Sequence, residues 1–371
     1  MLQGANQPIF NLRHRPVFAS SKRFCRRIET WKCCSSYEAF HHTRVARGDS
    51  RDMDDDGVEQ KQRKARADKT RSLVPVEWYE KQVETLIPSL DDAQDRRYNH
   101  PKIRPVVERA VDLWTKGEKV LVFCFYRQAA RALLVHLKEH TERRIIELTA
   151  KKLNLKNANK EYIKQALTRI GRRLSEDGIF SKALSDFLER LIDDPEYAVL
   201  QPHRKDLRDM LLAYVRSPAF LSRFVPLDIA EVRAAFAENQ RDEDILRKGA
   251  EALISAIETI ADGSNTTTRA RIEQFLDFAK ELADRSQGSN TEDEEERPTL
   301  LKQYLEAVAV YSSPRQSHLD DDPDARSTAD DGSYRVLPVV RMVYGDTKPE
   351  VRQRLMAAFN SPLFPEILVS S

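Results

Sequence analysis

Residues 117–125 read GEKVLVFCF, and the apolar run inside them decides the fold class of the chain. From Val120 to Phe125 this run is continuous, of strand length, and rich in β-branched and aromatic residues. Such a composition is typical of a strand that is buried on both faces of a parallel sheet. The run is far shorter than the about 20 apolar residues that a membrane-spanning helix needs, so we expect no membrane partner.

Amphipathic helices are predicted on both sides of this strand. Before it, apolar residues recur every three or four positions from Ile103 to Trp114, and Lys116-Gly117 ends the pattern. After it, residues 127–137 place four apolar side chains on one helical face, namely Ala130, Leu133, Leu134 and Leu137. We therefore expect the order helix, strand, helix in this part of the chain.

A second α/β segment lies at the other end of the printed sequence. Residues 336–344 are β-like, residues 350–359 are helical in pattern, and Ile367-Leu368-Val369 begins another buried strand. Strand, helix and strand with short connections are typical of a parallel α/β layer. Because the sequence stops soon after Val369, we expect this last strand to have unpaired backbone and an uncovered apolar face.

The pattern between these two segments is almost entirely helical. Apolar stripes run from Phe180 to Ile192 and from Ile272 to Ala283, and such stripes indicate the core of a helical bundle. Two acidic stretches that contain serine, residues 286–297 and 317–333, are predicted to be solvated linkers.

The first 72 residues show no persistent apolar periodicity and alternate between basic and acidic runs, which predicts a disordered tail. Their acid-free start also fits a transit peptide in composition, an interpretation that we favour less. The cysteines and histidines of this tail contain no C-x-x-C pair, so a zinc site is disfavoured; they are Cys25, Cys33, Cys34, His41 and His42.

Composition narrows the class of protein. The 371 residues include 61 Lys and Arg against 59 Asp and Glu, and the resulting net charge of +2 excludes a uniformly basic nucleic-acid coat protein. Four cysteines are too few for a disulfide scaffold in a chain of this length. We therefore expect a reducing compartment and a cytoplasmic location.

Polar residues follow each predicted strand, where ligands of open parallel sheets bind. These strand-end groups are Tyr126-Arg127-Gln128, Gly345-Asp346-Thr347-Lys348 and Ser370-Ser371. Helix N-termini beside them offer free N–H groups to a phosphate. Thr347 and Glu350 also fit a capping box, with Thr347 as the N-cap. No G-x-x-x-x-G-K-[ST] or G-x-G-x-x-G sequence occurs, so we predict no complete nucleotide-hydrolysing site, no catalytic residue and no metal ligand.

Two stretches resemble parts of a known family. Residues 117–124, with the helix before them, resemble the entry into the second RecA-like lobe of superfamily 2 helicases and translocases. Residues 344–347, Arg352, Phe359-Asn360 and residues 367–371 are similar to the next segments of that lobe, nearest to the Swi/Snf-like ATPases. Steps of seven residues from Gly345 to Arg352 and from Arg352 to Phe359 make this resemblance specific.

The resemblance implies a nucleic-acid partner, with DNA favoured over RNA. In the complete motor it implies ATP and Mg as cofactors, which this chain alone is not expected to bind or hydrolyse. Arg352 is expected to lie inside a helix and to pair within the lobe, so it is not an arginine finger. The implied nucleic-acid-binding residues are Tyr126, Arg127, Gly345, Asp346, Thr347, Lys348, Ser370 and Ser371.

The resulting fold class is α/β, a partial RecA-like parallel sheet with a large all-α insertion and a disordered tail. The predicted boundaries are 1–72 for the tail, 73–140 for the first part of the helicase lobe, 141–333 for the helical insertion and 334–371 for the truncated second part. The alternative function is a non-catalytic module that binds a protein partner through the helical insertion and carries a vestigial helicase lobe. A Rossmann-like metabolite binder is disfavoured because no glycine-rich turn follows any strand.

Overall fold

The computed structural model describes residues 36–37, 94–155, 157–175, 178–259, 267–287, 300–312, 339–345 and 347–371. Nearly all of the predicted tail, most of the acidic stretch 286–297, the whole of 317–333, and Asp346 lie outside this described part. None of the helices that are described has the length and apolar character needed to cross a membrane.

Helices make up most of the described part. They are α1 (Gln94–Tyr98), α2 (Ile103–Thr115), α3 (Arg127–Lys152), α4 (Lys160–Arg173), α5 (Ile179–Ile192), a 3-10 helix (Pro195–His203), α6 (Arg204–Val215), α7 (Pro218–Arg223), α8 (Ala230–Ala235), α9 (Glu243–Glu258), α10 (Thr268–Gln287), α11 (Leu300–Ser312) and α12 (Pro349–Asn360).

The described strands form one parallel sheet. Its members are β1 (Val120–Phe123), β2 (Val340–Val343) and β3 (Ile367–Ser370), and their spatial order is β1, β3, β2. Ile367 lies opposite both Val120 and Val340, so the three strands begin in register. The predicted α/β layer is confirmed as a small parallel sheet in a mainly helical protein.

The last strand in sequence is the central strand in space. Ile367, Leu368 and Val369 are each at most 1% exposed, and β3 is paired with a neighbour on both sides. The expectation that β3 would have unpaired backbone and an uncovered face is therefore wrong. The prediction of a buried strand at Ile367-Leu368-Val369 is confirmed, because a continuous apolar run is what a central parallel strand requires.

The strand with exposed apolar side chains is β1, one of the two edge strands of the sheet. Val120 is buried, but Leu121 is 40% exposed and Phe123 is 74% exposed. The second face of the sheet is covered by α12, whose side chains form a small cluster with Val343 and Leu368. Leu121 and Phe123 lie outside that cluster, so the prediction that β1 is buried on both faces is wrong.

Helix α2 follows its predicted pattern closely. Its buried residues are spaced three or four apart and pack into the main core: Ile103, Val107, Ala110 and Trp114. At its end Gly117 has a φ of +89°, and its N–H donates to the Trp114 carbonyl at 2.9 Å. The Glu118 N–H donates to the Leu113 carbonyl at 3.1 Å, which completes a glycine-terminated helix end.

The helical block and the sheet share one apolar core. Buried residues of α5, α6, α7 and α10 belong to the same cluster as Trp114, Ile367 and Val369. The predicted stripes are confirmed, since Phe187, Leu188 and Phe275 are at most 1% exposed. Helix α3 runs without a break through the predicted boundary at 140, so the sheet and the block are joined by a continuous helix.

A buried carboxylate ties the helical block to the sheet. Glu366 directly precedes β3, and its side chain forms an ion pair with Arg223 at the end of α7. The Trp114 indole N–H donates to Glu366 Oε2 at 2.9 Å, and the Tyr214 hydroxyl donates to Oε1 at 3.2 Å. Burial raises the pKa of the Glu366 carboxyl, but the Arg223 charge and the hydrogen bonds from Arg223 and Trp114 outweigh it and hold the pKa below its ordinary value.

Lys119 lies beside this carboxylate. Its ammonium donates to the Pro365 carbonyl at 2.8 Å and sits 5.2 Å from the centre of the Phe359 ring. Burial lowers the pKa of Lys119 to about 7, and the Glu366 charge opposes that shift only in part. Arg223 and the nearby Arg271 lower this pKa further. The amine is therefore close to losing its proton at neutral pH.

We predict that Arg223→Met destabilises the protein by about 3 to 5 kcal/mol, because it leaves the Glu366 charge buried without its partner. The free energy of unfolding from urea titration at pH 7 measures this loss. Arg241→Ala is the matched control, since Arg241 is exposed and its loss should change the free energy by at most about 0.5 kcal/mol. An equal effect of the two substitutions would contradict the proposed role of the buried pair.

We predict that the free energy of unfolding rises as the pH increases from about 7 to 10. In that range unfolded Lys119, with a pKa of about 10.4, binds a proton that the folded state does not. Lys119→Met should remove a rise on the order of a few kcal/mol. The control is Lys116→Met, which changes an exposed lysine three residues away and should leave the pH dependence as it was.

Candidate functional site

The predicted strand-end residues converge at the carboxyl edge of the sheet. Phe123 and Val343 both lie opposite Ser370, so all three strands end at the same level. The Cys124 N–H donates to the Ser370 carbonyl at 2.7 Å, and the Ser371 N–H donates to the Val343 carbonyl at 3.0 Å. The sheet order therefore brings loops that are more than 200 residues apart in sequence onto one surface.

A cation–π contact crosses this surface. Helix α3 begins at Arg127, separated from the end of β1 by three residues, and the Arg127 guanidinium carbon lies 4.2 Å from the centre of the Tyr344 ring. Tyr344 directly follows β2, on the far side of β3. The contact fixes a positive charge above the ends of the strands, and stacking of this kind is favoured by the flat guanidinium group.

The loop after β2 is folded back on itself. Thr347 Oγ1 accepts a hydrogen bond from the Tyr344 N–H at 3.1 Å, and the Thr347 N–H donates to the Tyr344 carbonyl at 3.0 Å. The predicted capping box is wrong, because α12 begins at Pro349 and its N-cap is Lys348. Proline favours the first helical position, since it lacks an N–H and has a fixed φ, and this moves the cap one residue past Thr347.

Arg352 holds the same loop from the helix side. Its guanidinium Nη2 donates to the carbonyl of Gly345 at 2.6 Å, and it lies 3.2 Å from that of Tyr344 and 3.4 Å from that of Thr347. The expectation that Arg352 lies inside a helix and pairs within the protein is confirmed. The seven-residue step from Gly345 to Arg352 is the spacing that lets the first turn of α12 reach back to the loop.

Gly345 leaves open space above the loop. It is exposed, and a Cβ atom placed on it would meet nothing within 4 Å. Its φ lies outside the left-handed region, so backbone strain does not require a glycine here. Among the described residues neither packing nor conformation explains the glycine, whereas the close approach of a ligand to the backbone would.

Two helices start at this edge. The N-cap residues are Tyr126 for α3 and Lys348 for α12, and neither side chain accepts a hydrogen bond from the first turn of its helix. N–H groups at such helix starts are available to an anion, and the helix dipole adds positive potential. Lys348 is exposed, so its ammonium adds charge to the same region.

The remaining predicted residues occupy the same edge. Ser370 is half-buried at the end of β3, Ser371 is exposed, and Tyr126 is half-buried with its ring 5.0 Å from that of Phe125 in an edge contact. Asp346 is outside the described residues. The structure thus gathers seven of the eight predicted positions on one surface, but their role in binding nucleic acid remains a prediction.

The described residues of this edge do not favour redox or metal chemistry. Burial raises the pKa of the Cys124 thiol to about 11, which keeps it protonated and unreactive at neutral pH. Across the described ranges no three His, Cys, Asp or Glu side chains are grouped in a way that could hold a metal ion. Among the described residues of this edge, the polar groups are arginine, lysine, hydroxyl and backbone N–H groups and the Glu350 carboxylate in the first turn of α12.

Sequence reasoning missed two features of this surface. Tyr344 was part of the resemblance, but its contact with Arg127 depends on a sheet order that no local pattern encodes. The exposure of Phe123 and Phe125 was also missed, because an apolar run has the same letters whether or not a helix covers it.

No family model, no curated protein and no solved structure matches the chain.

We predict that Arg352→Ala loosens the loop at Tyr344, Gly345 and Thr347 without unfolding the protein. Within the described residues the exposed guanidinium donates to carbonyls of this loop, so local opening becomes easier while the core is unchanged. Amide hydrogen exchange should speed up in the peptide that spans residues 344–348. Arg354→Ala removes an arginine from the same helix and should leave that exchange unchanged; equal acceleration by both would sink the assignment.

Proposed function

We propose that this chain forms part of the second RecA-like lobe of an ATP-dependent superfamily 2 helicase or translocase. In this proposal the carboxyl edge of the sheet binds the phosphate backbone of a nucleic acid. The observation that carries it is the convergence of Arg127, Lys348 and two helix starts at one end of a parallel sheet. Ligands bind at this end of open α/β sheets.

The chemistry of the edge suits a phosphodiester. Arginine and lysine supply charge, and the hydroxyl of Ser371 and the N–H groups of two helix starts supply neutral donors. The open space at Gly345 lets a phosphate approach the backbone. Contacts of this kind give affinity without reading base sequence, which suits a protein that moves along a strand.

In this proposal ATP is bound by the complete motor and not by this chain alone. The chain lacks a phosphate-binding loop, so we expect ATP and Mg to be bound by another lobe, on which this one closes. The chain by itself is then expected to bind nucleic acid but not to hydrolyse ATP. DNA is the favoured substrate and the cytoplasm the favoured location, both from the sequence interpretation.

The shared core bears on the alternative function. If the helical block were an independent interaction module, it would need little contact with a vestigial sheet. Here Arg223 of the block forms a buried ion pair with Glu366 beside β3. Deleting either part would therefore disrupt the other, and point substitutions at the surface are the informative tests. A protein partner on residues 141–333 remains the alternative role of the block.

We predict that Arg127→Ala weakens binding to a labelled oligothymidylate of about 12 nucleotides by about tenfold, because one charged phosphate contact is lost. Fluorescence anisotropy between about 50 and 200 mM salt should show a log–log slope that is shallower by about 0.7. Arg241→Ala, an exposed arginine on the helical block, is the matched control and should change neither quantity.

Two results would contradict the proposed function. One is binding that does not depend on Arg127, which would place the nucleic acid elsewhere. The other is Mg-dependent ATP hydrolysis by the purified chain that Arg127→Ala abolishes, which would show a complete ATPase site.

A further inference from the structure

Two phenylalanine rings stand exposed beside the strand-end surface. Phe123 is 74% exposed and Phe125 is 79% exposed, the largest fractions among the exposed large apolar side chains of the described part. Phenylalanine normally buries most of its area, so paired exposed rings indicate a surface that another molecule covers. Within the described residues no other segment covers these two rings.

These rings adjoin the cationic surface directly. Phe123 ends β1 opposite Ser370. The Phe125 and Tyr126 rings pack edge to face, with 5.0 Å between the ring centres. Tyr126 is followed by Arg127, whose guanidinium is held over Tyr344. Exposed aromatic faces and a fixed positive charge therefore lie within a few residues of one another.

We infer that Phe123 and Phe125 form a stacking platform for the bases of a single-stranded nucleic acid, an inference that rests on the proposed function. Proteins that bind single strands combine a cationic path for the backbone with aromatic rings on which bases stack. Every base has a flat π-face, so this contact tolerates any sequence. In a duplex those faces are covered by neighbouring bases, so the platform specifies a single strand.

A second copy of the chain is the main competing occupant. The two rings together expose about 300 Å². A symmetric contact would then bury about 600 Å², which is below the about 1,000 Å² that a stable interface requires. Charge complementarity also favours a polyanion, because Arg127 and Lys348 lie at the same edge. These points favour nucleic acid as the occupant.

The experiment compares two probes that carry the same number of phosphates. One is the oligothymidylate of about 12 nucleotides, and the other is an abasic oligomer of equal length. Phe125→Ala should weaken binding of the oligothymidylate by roughly tenfold and leave both the abasic oligomer and the salt slope unchanged. Phe125→Trp should preserve binding, whereas Phe125→Leu, which keeps an apolar side chain without a ring, should behave like Phe125→Ala.

The outcomes separate this inference from the proposed function. If Phe125→Ala weakens binding of both probes equally, or of neither, the stacking platform is contradicted. The proposed function then still rests on the effect of Arg127→Ala on binding. No effect of Arg127→Ala on either probe overturns the proposed function itself. A dimer in sedimentation velocity that Phe123→Ala or Phe125→Ala dissociates, with unchanged binding of the oligothymidylate, assigns the rings to a protein interface. Unfolding free energies of the variants verify that each is folded.

Discussion

The Glu366 carboxylate is the point on which the arrangement of the molecule depends. Three helices send a donor to it, namely Trp114 from α2, Tyr214 from α6 and Arg223 from α7. A charge in an apolar core is tolerated only when it is paired and hydrogen-bonded, so these helices must surround the start of β3. These contacts therefore dock the helical block at the amino end of the sheet, opposite the carboxyl end where the strand-end residues lie.

The second constraint on the structure is the position of β3 between β1 and β2. Its two neighbours come from segments on opposite sides of the helical block, so the sheet forms only after a long loop is closed. A block that folds into the shared core offsets the entropy of that closure. Central placement of β3 also aligns Phe123, Val343 and Ser370, which is why three separate loops form one surface.

Local periodicity was enough to predict α2 with its Gly117 end, β1, β3 and the helix that carries Arg352. Long-range contacts were not predictable. Sheet order decides that β1 and β2 are edge strands on either side of β3 and that Tyr344 meets Arg127, and neither is written in a local pattern. The strand-end residues were predicted as a set because chain direction in a parallel sheet puts them at one edge. What they bind rests on the resemblance and on the chemistry of that edge.

Amide hydrogen exchange of the whole chain, with and without a saturating oligothymidylate, tests the location of the binding surface most directly. The predicted result is slower exchange in residues 123–131, 344–352 and 370–371, with little change in α6 and α9. Slower exchange confined to the helical block, with the carboxyl edge unaffected, would contradict the assignment of that edge as the nucleic-acid surface.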